Sequence, residues 1–136
     1  MPRPKRKTSE FFQEGTRSEI DVPVSANALT RHVIEYLTIL GCKAWRNQSG
    51  ALKVEGKGNA RGRYVRFGQK GSSDILAVLP PDGRLIAVEV KAGKDRIRPE
   101  QQTWLDEIES KGGISIVARS IDDVMERIAK ELEVFP

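Results

Sequence analysis

The sequence predicts an α/β domain in which a mixed β-sheet is flanked by helices. Apolar residues recur at helical spacing in three segments, and short apolar, β-branched runs lie between those segments. Two of the runs are separated by residues 80–83 (Pro-Pro-Asp-Gly), which is strong turn chemistry and predicts an antiparallel hairpin. The predicted order of elements is therefore α-β-β-β-α-β-α.

Length and composition predict one globular domain preceded by a basic arm. The chain has 136 residues, of which 38% are hydrophobic and 31% charged, as in soluble folded proteins. Residues 1–24 show neither helical nor strand periodicity and begin with a basic run, so we expect a flexible arm followed by a domain over residues 25–136.

The same features predict where the protein works. No apolar run approaches the roughly 20 residues that span a bilayer, and the basic N-terminus lacks the apolar stretch of a signal peptide. The single cysteine, Cys42, excludes an internal disulfide and is expected to be buried. We therefore expect no membrane association and an intracellular protein, cytoplasmic or nucleoid-associated, in a bacterial or virus-infected cell.

The first half of the chain predicts one helix and two short strands. Ser25 or Asn27 is a suitable N-cap for a helix that begins near Ala28 and ends at Gly41. Residues 43–47 and 63–67 have strand character, whereas Gly50 and the glycines of residues 56–62 indicate turns and a loop. The predicted buried face of the helix consists of Leu29, Val33, Tyr36, Leu37 and Leu40.

The second half predicts the hairpin, two helices and a last strand. The hairpin strands cover residues 74–79 and 84–91, and Pro99 is suited to the first turn of the following helix. That helix ends at residues 112–113 (Gly-Gly), before an apolar strand over residues 114–118. Ser120 is then expected to cap the last helix, with Asp123 at the reciprocal position.

The hairpin places three charged side chains on one face of the sheet. If four turn residues leave Leu79 opposite Arg84, Asp74 falls opposite Glu89, with Cβ atoms about 4.5–5.5 Å apart. Lys91 follows Glu89 by two residues and shares its face. Two carboxylates so close repel each other unless a cation or a proton lies between them, and oxygen ligands suit Mg²⁺ or Mn²⁺. A one-residue bulge would break this register, and a solvated surface cluster is the alternative.

Charge is distributed unevenly along the chain. Residues 51–71 contain six basic residues and only one acid, Glu55, whereas from Glu100 onwards nine acids accompany four bases. A basic face suits a phosphate backbone, although a solvated charged surface is the plainer alternative. The single histidine, His32, excludes histidine-rich metal sites. The candidate DNA-contacting residues are Lys57, Arg61, Arg63, Arg66, Lys70, Lys94, Arg96 and Arg98.

Two aromatic residues, Tyr64 and Phe67, are interleaved with these cations. Their rings are compatible with stacking on unpaired bases and equally with ordinary packing in a strand.

Residues 71–74 (Gly-Ser-Ser-Asp), followed by a strand and residues 89–91 (Glu-Val-Lys), resemble the signature of PD-(D/E)XK nucleases. Residues 98–104 (Arg-Pro-Glu-Gln-Gln-Thr-Trp) resemble the glutamine-bearing helix of the VRR-NUC branch of that superfamily. The resemblance extends from about Leu29 to Val124 and implies a restriction-endonuclease-like core.

The resemblance also implies an activity and the residues that perform it. The expected activity is a Mg²⁺- or Mn²⁺-dependent endonuclease acting on branched DNA, such as four-way junctions, as a homodimer. Asp74, Glu89 and the backbone carbonyl of Val90 would hold the metal. Lys91 would be the catalytic lysine, and Gln101 would order the site, with Gln102 as the alternative if the helix register differs by one.

The chain departs from the family pattern at two points. Ser73 stands where the family often has proline before the first acid. The family also takes a further ligand from the first helix, and that position falls near Asn27 or Thr30; Glu35, the only acid of the helix, is the remaining candidate ligand. Two alternatives therefore stay open, namely a non-catalytic DNA-binding module of the same fold and a nuclease subunit that needs a partner for targeting.

Overall fold

The computed structural model describes residues 24–133, and three helices and six strands lie in that range. The predicted α/β class, a mixed sheet flanked by helices, is confirmed. Nearly all of the predicted N-terminal arm lies outside the described residues. The elements are α1 (Ala26–Ile39), β1 (Lys43–Arg46), β2 (Gly50–Val54), β3 (Arg63–Phe67), β4 (Ile75–Leu79), β5 (Arg84–Val90), α2 (Pro99–Ser110), β6 (Ile114–Ala118) and α3 (Ile121–Glu133).

Four strands form the central sheet in the order β1-β4-β5-β6. β4 pairs antiparallel with both β1 and β5, whereas β5 and β6 run parallel. The parallel pair requires a crossover, and α2 supplies it. The two strands β2 and β3 form a separate antiparallel hairpin.

The predicted order α-β-β-β-α-β-α is the order of the central sheet and its helices, α1-β1-β4-β5-α2-β6-α3, and the separate hairpin is inserted between β1 and β4. Residues 63–67, which were predicted to have strand character, form β3, whereas its partner β2 was not predicted. Gly50 opens β2 instead of marking a turn. All five residues of β2 are exposed, so the strand has no buried face to leave a clear apolar pattern in the sequence.

The core lies between the central sheet and the helices α1 and α3. One apolar face of α1, β4, β5, β6 and α3 is buried or nearly so, because helical spacing in the helices and alternation in the strands bring these residues to the same layer. Leu105 of α2 and Ala87 of β5 are also buried, outside that cluster. The principal core residues are Leu29, Val33, Leu37, Ile75, Ala77, Ile86, Val88, Ile114, Val124 and Ile128.

The helix ends follow the predicted capping chemistry. Ser25 is the N-cap of α1 and its Oγ accepts a hydrogen bond from the backbone N–H of Ala28 at 3.2 Å, so the helix begins two residues earlier than expected. At α3, Asp123 Oδ2 accepts from the N–H of Ser120 at 3.2 Å. Cys42 is buried, as predicted. None of the described helices is both long and apolar enough to cross a bilayer.

The β4–β5 hairpin has the predicted register. Leu79 pairs with Arg84 and Ile75 with Val88, so there is no bulge between them. Gly83 adopts a φ of +78°, which favours glycine, and its N–H donates to the carbonyl of Leu79 at 2.9 Å. Asp74 directly precedes β4, and the register continues to place it beside Glu89.

Candidate active site

Asp74 is fixed by contacts to the strands on both sides of it. Its backbone carbonyl accepts a hydrogen bond from the N–H of Asn47 at 2.7 Å, just beyond β1. Its side-chain Oδ2 accepts from the N–H of Val90, in β5, at 2.8 Å. The carboxylate is therefore held against the end of β5 at which Glu89 lies.

Glu89 is a buried carboxylate with one oxygen engaged and the other free. Its residue is only 3% exposed. Oε1 accepts a hydrogen bond from Gln101 Nε2 at 2.8 Å and lies 3.6 Å from Lys91 Nζ. Oε2 is buried and has no hydrogen-bond partner among the described residues. A buried charged oxygen without a partner is costly, so this atom is suited to an additional ligand such as a cation.

Burial and a neighbouring acid alter the acidity of Glu89. Desolvation by burial is the main reason that the pKa of Glu89 rises from 4.5 to about 7, and the negative charge of Asp74 contributes to the same increase. The positive charge of Lys91 acts in the opposite direction without cancelling the increase. Two acids in this state attract either a proton or a metal cation.

Lys91 lies one residue beyond β5, and its backbone N–H donates to the carbonyl of Ala118 at 2.9 Å. Its side chain is only 11% exposed, and its ammonium group forms an ion pair with Glu89. Burial of a flexible lysine next to a buried carboxylate restricts the positions that its charge can adopt. The predicted catalytic lysine is thus in contact with Glu89, one of the two predicted acids.

Gln101 connects α2 to the acids. It occupies the third position of the helix, where its Oε1 accepts from the N–H of Arg98 at 2.9 Å while its Nε2 donates to Glu89. Gln102 is exposed and donates instead to Asp106 within the helix at 2.8 Å. The structure therefore brings Gln101, and not the alternative Gln102, to Glu89.

A group of hydrogen bonds in the segment before Asp74 was not predicted from the sequence. Asn47 Nδ2 donates to Ser72 Oγ at 2.9 Å and to the carbonyl of Ser73 at 3.0 Å, and Trp104 Nε1 donates to Ser73 Oγ at 3.4 Å. Ser73 is fully buried. Asn47 is a polar residue at the end of a strand, but its partners are 25 and 26 residues away, so the sequence gives no sign of the contact.

An open cavity of about 380 Å³ lies over the acids. Asp74, Glu89 and Gln101 form part of its lining. Three of the predicted DNA-contacting residues, Arg66, Lys70 and Arg98, also line it, so cations surround the acidic centre. The other predicted DNA-contacting residues are exposed but lie outside the lining; they are Lys57, Arg61, Arg63, Lys94 and Arg96.

Comparison with known proteins identifies the family of the chain. The model of the VRR-NUC domain matches residues 29–122, which is most of the chain. The chain belongs to the VRR-NUC family. This is a nuclease domain family of the restriction-endonuclease-like superfamily, so DNA is the implied substrate, and the family generally uses divalent metals. A search of individually curated proteins finds no significant match.

The donor set of this VRR-NUC domain fits a small, hard cation held by few protein ligands. No group of three or more histidine, cysteine or acidic side chains converges on one point within residues 24–133. Asp74 and Glu89 remain, and Glu89 Oε2 is a free buried oxygen. Mg²⁺ commonly keeps several waters and binds through one or two carboxylates, so the pair is sufficient.

The first helix contributes no third acid to this VRR-NUC site. Glu35 is exposed on α1 and does not converge with the two carboxylates. Asn27 Oδ1 accepts from Arg46 at 3.0 Å, and buried Thr30 donates within its own helix to Ala26 at 2.8 Å. Helical spacing could not reveal this, because it fixes which residues of α1 share a face but not which loops that face meets.

Proposed function

We propose that this protein is a divalent-metal-dependent endonuclease that hydrolyses DNA phosphodiester bonds in structured or branched DNA, such as four-way junctions. The observation that carries the proposal is the paired carboxylates of Asp74 and Glu89, with a buried unpartnered oxygen, beside the ammonium group of Lys91. The branched substrate follows from the family resemblance. A homodimer belongs to the same proposal, since two symmetric active sites suit two symmetric cuts.

Asp74, Glu89 and the carbonyl of Val90 are the proposed ligands of Mg²⁺ or Mn²⁺. Bound there, the metal would polarise the phosphate and acidify a bound water. The chain positions these ligands by two contacts: the N–H of Val90 holds Asp74 Oδ2, and Gln101 holds Glu89 Oε1. Those contacts leave Glu89 Oε2 available.

Lys91 acts on the developing charge. Its ammonium group is 3.6 Å from Glu89 Oε1 and largely shielded from solvent, so its electric field is stronger than that of a solvated lysine. In this proposal it stabilises the negative charge of the transition state or positions the attacking water. Arg66, Lys70 and Arg98 hold the DNA backbone across the cavity.

Cleavage of defined DNA substrates tests the proposal. Purified protein is incubated with four-way junction, flap and plain duplex DNA in the presence of Mg²⁺, Mn²⁺ or EDTA. We expect strand cleavage with either metal, none in EDTA, and none for Asp74→Ala. Lys111→Ala is the matched control, because Lys111 is an exposed cation at the opposite end of α2 from Gln101.

The outcomes separate the proposal from its alternatives. Binding of every DNA structure without cleavage by either metal would contradict an enzyme and favour a non-catalytic module. Cleavage that needs an added partner protein would favour a targeted nuclease subunit. Titration of Mn²⁺ into wild-type and Asp74→Ala protein by calorimetry tests the metal ligands without depending on activity, and equal binding by both would exclude Asp74 as a ligand.

A further inference from the structure

The β2–β3 hairpin stands apart from the rest of the fold. Its strands pair with each other and contact no other helix or strand of the described residues. Every residue of both strands is exposed. A two-stranded hairpin on its own is marginally stable in water, and this one, which packs on no other described element, leaves both of its faces available for binding.

The hairpin register gives it two faces of different chemistry. Lys53 is directly opposite Tyr64, and Ala51 is opposite Arg66, so these four side chains share one face. The other face carries apolar side chains, Leu52, Val54, Val65 and Phe67, together with Arg63. We call the first of these, formed by Ala51, Lys53, Tyr64 and Arg66, the basic face.

The basic face continues into the cavity over the acids. Ala51 and Arg66 of this face line the cavity that contains Asp74 and Glu89, together with Gly50 and Phe67, which pair at the same end of the hairpin. A DNA strand with its scissile phosphate at the acids would therefore extend along this face. No acidic residue lies in either hairpin strand. Charge complementarity thus identifies a phosphate backbone as the occupant.

Charge complementarity with a phosphate backbone does not explain why the aromatic ring of Tyr64 is exposed on this face. Its side chain is 74% exposed, the most of any aromatic residue among the exposed large hydrophobics. It has Lys53 across the strand pair and Arg66 two residues along the same strand. An aromatic ring between two cations offers a stacking surface for a base whose phosphates those cations hold. Paired bases inside a duplex have no free face to offer.

We propose that the basic face of the β2–β3 hairpin binds unpaired DNA next to the cleavage point, with Tyr64 stacking on an unpaired base. This inference rests on the proposed function and specifies its substrate. DNA that carries unpaired nucleotides near the scissile phosphate is bound in preference to continuous duplex. The preference is for unpaired structure and not for sequence, because every base has an aromatic face.

Binding in EDTA tests this proposal without cleavage. Fluorescence anisotropy compares full-length wild-type protein and Tyr64→Ala on flapped DNA and on continuous duplex. We expect Tyr64→Ala to weaken flap binding by about 5- to 100-fold, the range that loss of one base–aromatic stack produces, and duplex binding by less than about twofold. Tyr64→Phe should retain the wild-type preference, because the ring suffices.

Two further measurements keep the test decisive. A 2-aminopurine in the flap should be quenched by the wild-type protein and much less by Tyr64→Leu, which keeps an apolar side chain without the ring. Leu52→Ala, on the opposite face of the hairpin, is the matched control and should leave the ratio of flap to duplex affinity unchanged. Neutralising Lys53 and Arg66 should reduce the salt dependence of binding to both DNAs by about one or two phosphate contacts.

The proposed role of Tyr64 can be tested independently of the proposed nuclease activity. Equal loss of flap and duplex affinity in Tyr64→Ala, or absence of quenching in the wild type, overturns the role of Tyr64 even if the protein cleaves DNA. Selective flap binding without cleavage under any metal would support the hairpin and contradict the nuclease mechanism.

Discussion

Glu89 and Glu131 each lie next to basic side chains, but their surroundings differ in a way that separates chemistry from scaffolding. Glu131 accepts from Arg84 at 2.7 Å through Oε2 and is 2.8 Å from Arg127 through Oε1, so both oxygens are paired. Glu89 has one oxygen shared by Lys91 and Gln101 and one buried oxygen with no partner. Glu131 therefore links β5 to α3, whereas Glu89 lines the cavity and has a buried oxygen without a hydrogen-bond partner.

The pKa values of the two carboxyl groups shift in opposite directions. The hydrogen bond from Arg84 holds the pKa of Glu131 below its usual value, against the smaller effect of burial. Burial and Asp74 raise the pKa of Glu89 to about 7. A carboxylate whose two oxygens are both paired with cations is a structural link. A carboxylate with a buried, unpaired oxygen is suited to bind a further cation. Four experiments test this contrast.

The largest expected effect is on catalysis. Lys91→Ala should lower the rate of DNA cleavage by about 10²- to 10³-fold, because it removes a fixed positive charge from the transition state. Arg84→Ala removes a cation at the other end of the same strand and should change the rate by less than about twofold. Single-turnover cleavage assays at saturating metal compare the two. Equal losses would mean that the position of the cation on β5 is irrelevant to the reaction.

The next effect is on the pH dependence of stability. Because the folded pKa of Glu89 lies above 4.5, proton binding stabilises the metal-free fold fully below about pH 4.5, and that stabilisation is lost as the pH rises towards 7. Glu89→Gln has no such titration, so its free energy of unfolding relative to the wild type should rise between pH 4.5 and 8 by an amount on the order of 3 kcal/mol.

Urea unfolding of both proteins in EDTA at several pH values measures that difference. Titrating groups distant from residue 89 are common to the two proteins and cancel, so the difference reports Glu89 together with the charged groups next to it. A difference that is independent of pH would show that Glu89 is not protonated in the folded protein. Addition of Mn²⁺ at pH 8 should stabilise the wild type and not Glu89→Gln, since binding to the folded state alone adds to its stability.

A smaller effect is expected at the positioning residue Asn47. Asn47→Ala removes the two side-chain hydrogen bonds to Ser72 and Ser73, so the segment that carries Asp74 becomes less well fixed. We expect cleavage to fall by about 10- to 100-fold, as for other residues that orient metal ligands, with a parallel loss of Mn²⁺ affinity. Gln48→Ala, at the exposed neighbouring position, is the control. Normal Mn²⁺ affinity in Asn47→Ala would exclude this role.

The smallest effect is expected at Glu131. Glu131→Gln weakens a partly exposed ion-pair cluster and should lower the free energy of unfolding by about 1 kcal/mol or less. Because its pKa is lowered on folding, the contribution is present above about pH 4.5 and is lost as the pH falls, opposite in sign to that of Glu89. Thermal unfolding at pH 4 and pH 7 checks both the size and the sign, and a loss of cleavage activity would contradict a purely structural role.

The β4–β5 hairpin could be predicted from the sequence because it depends on interactions between residues that are close together in the chain. The Pro-Pro-Asp-Gly turn fixes a four-residue connection, and the connection fixes the register, so Asp74 and Glu89 could be paired from the sequence. Alternation along β5 then placed Lys91 near them. These inferences succeed because a hairpin is local and its strands have a strict two-residue period.

Non-local contacts account for what could not be predicted. The strand β2 was missed because all its residues are exposed and its partner lies beyond a glycine-rich loop. The position of Glu35 could not be judged, because helical spacing fixes which residues share a face but not which loops that face meets. Gly71 shows the same limit: its φ of +79° and the close approach of the Glu100 carbonyl depend on α2 packing against this loop.

The sequence by itself thus determined the α/β class, the β4–β5 register and the proximity of Asp74, Glu89 and Lys91, because turn chemistry and strand alternation act over a few residues. Only the tertiary structure decided that Gln101 reaches Glu89, that Asn47 supports the segment before Asp74, and that Glu89 Oε2 is buried without a partner. Those features arise when α2 and β1 close around β4 and β5, since burial and desolvation are properties of the packed whole.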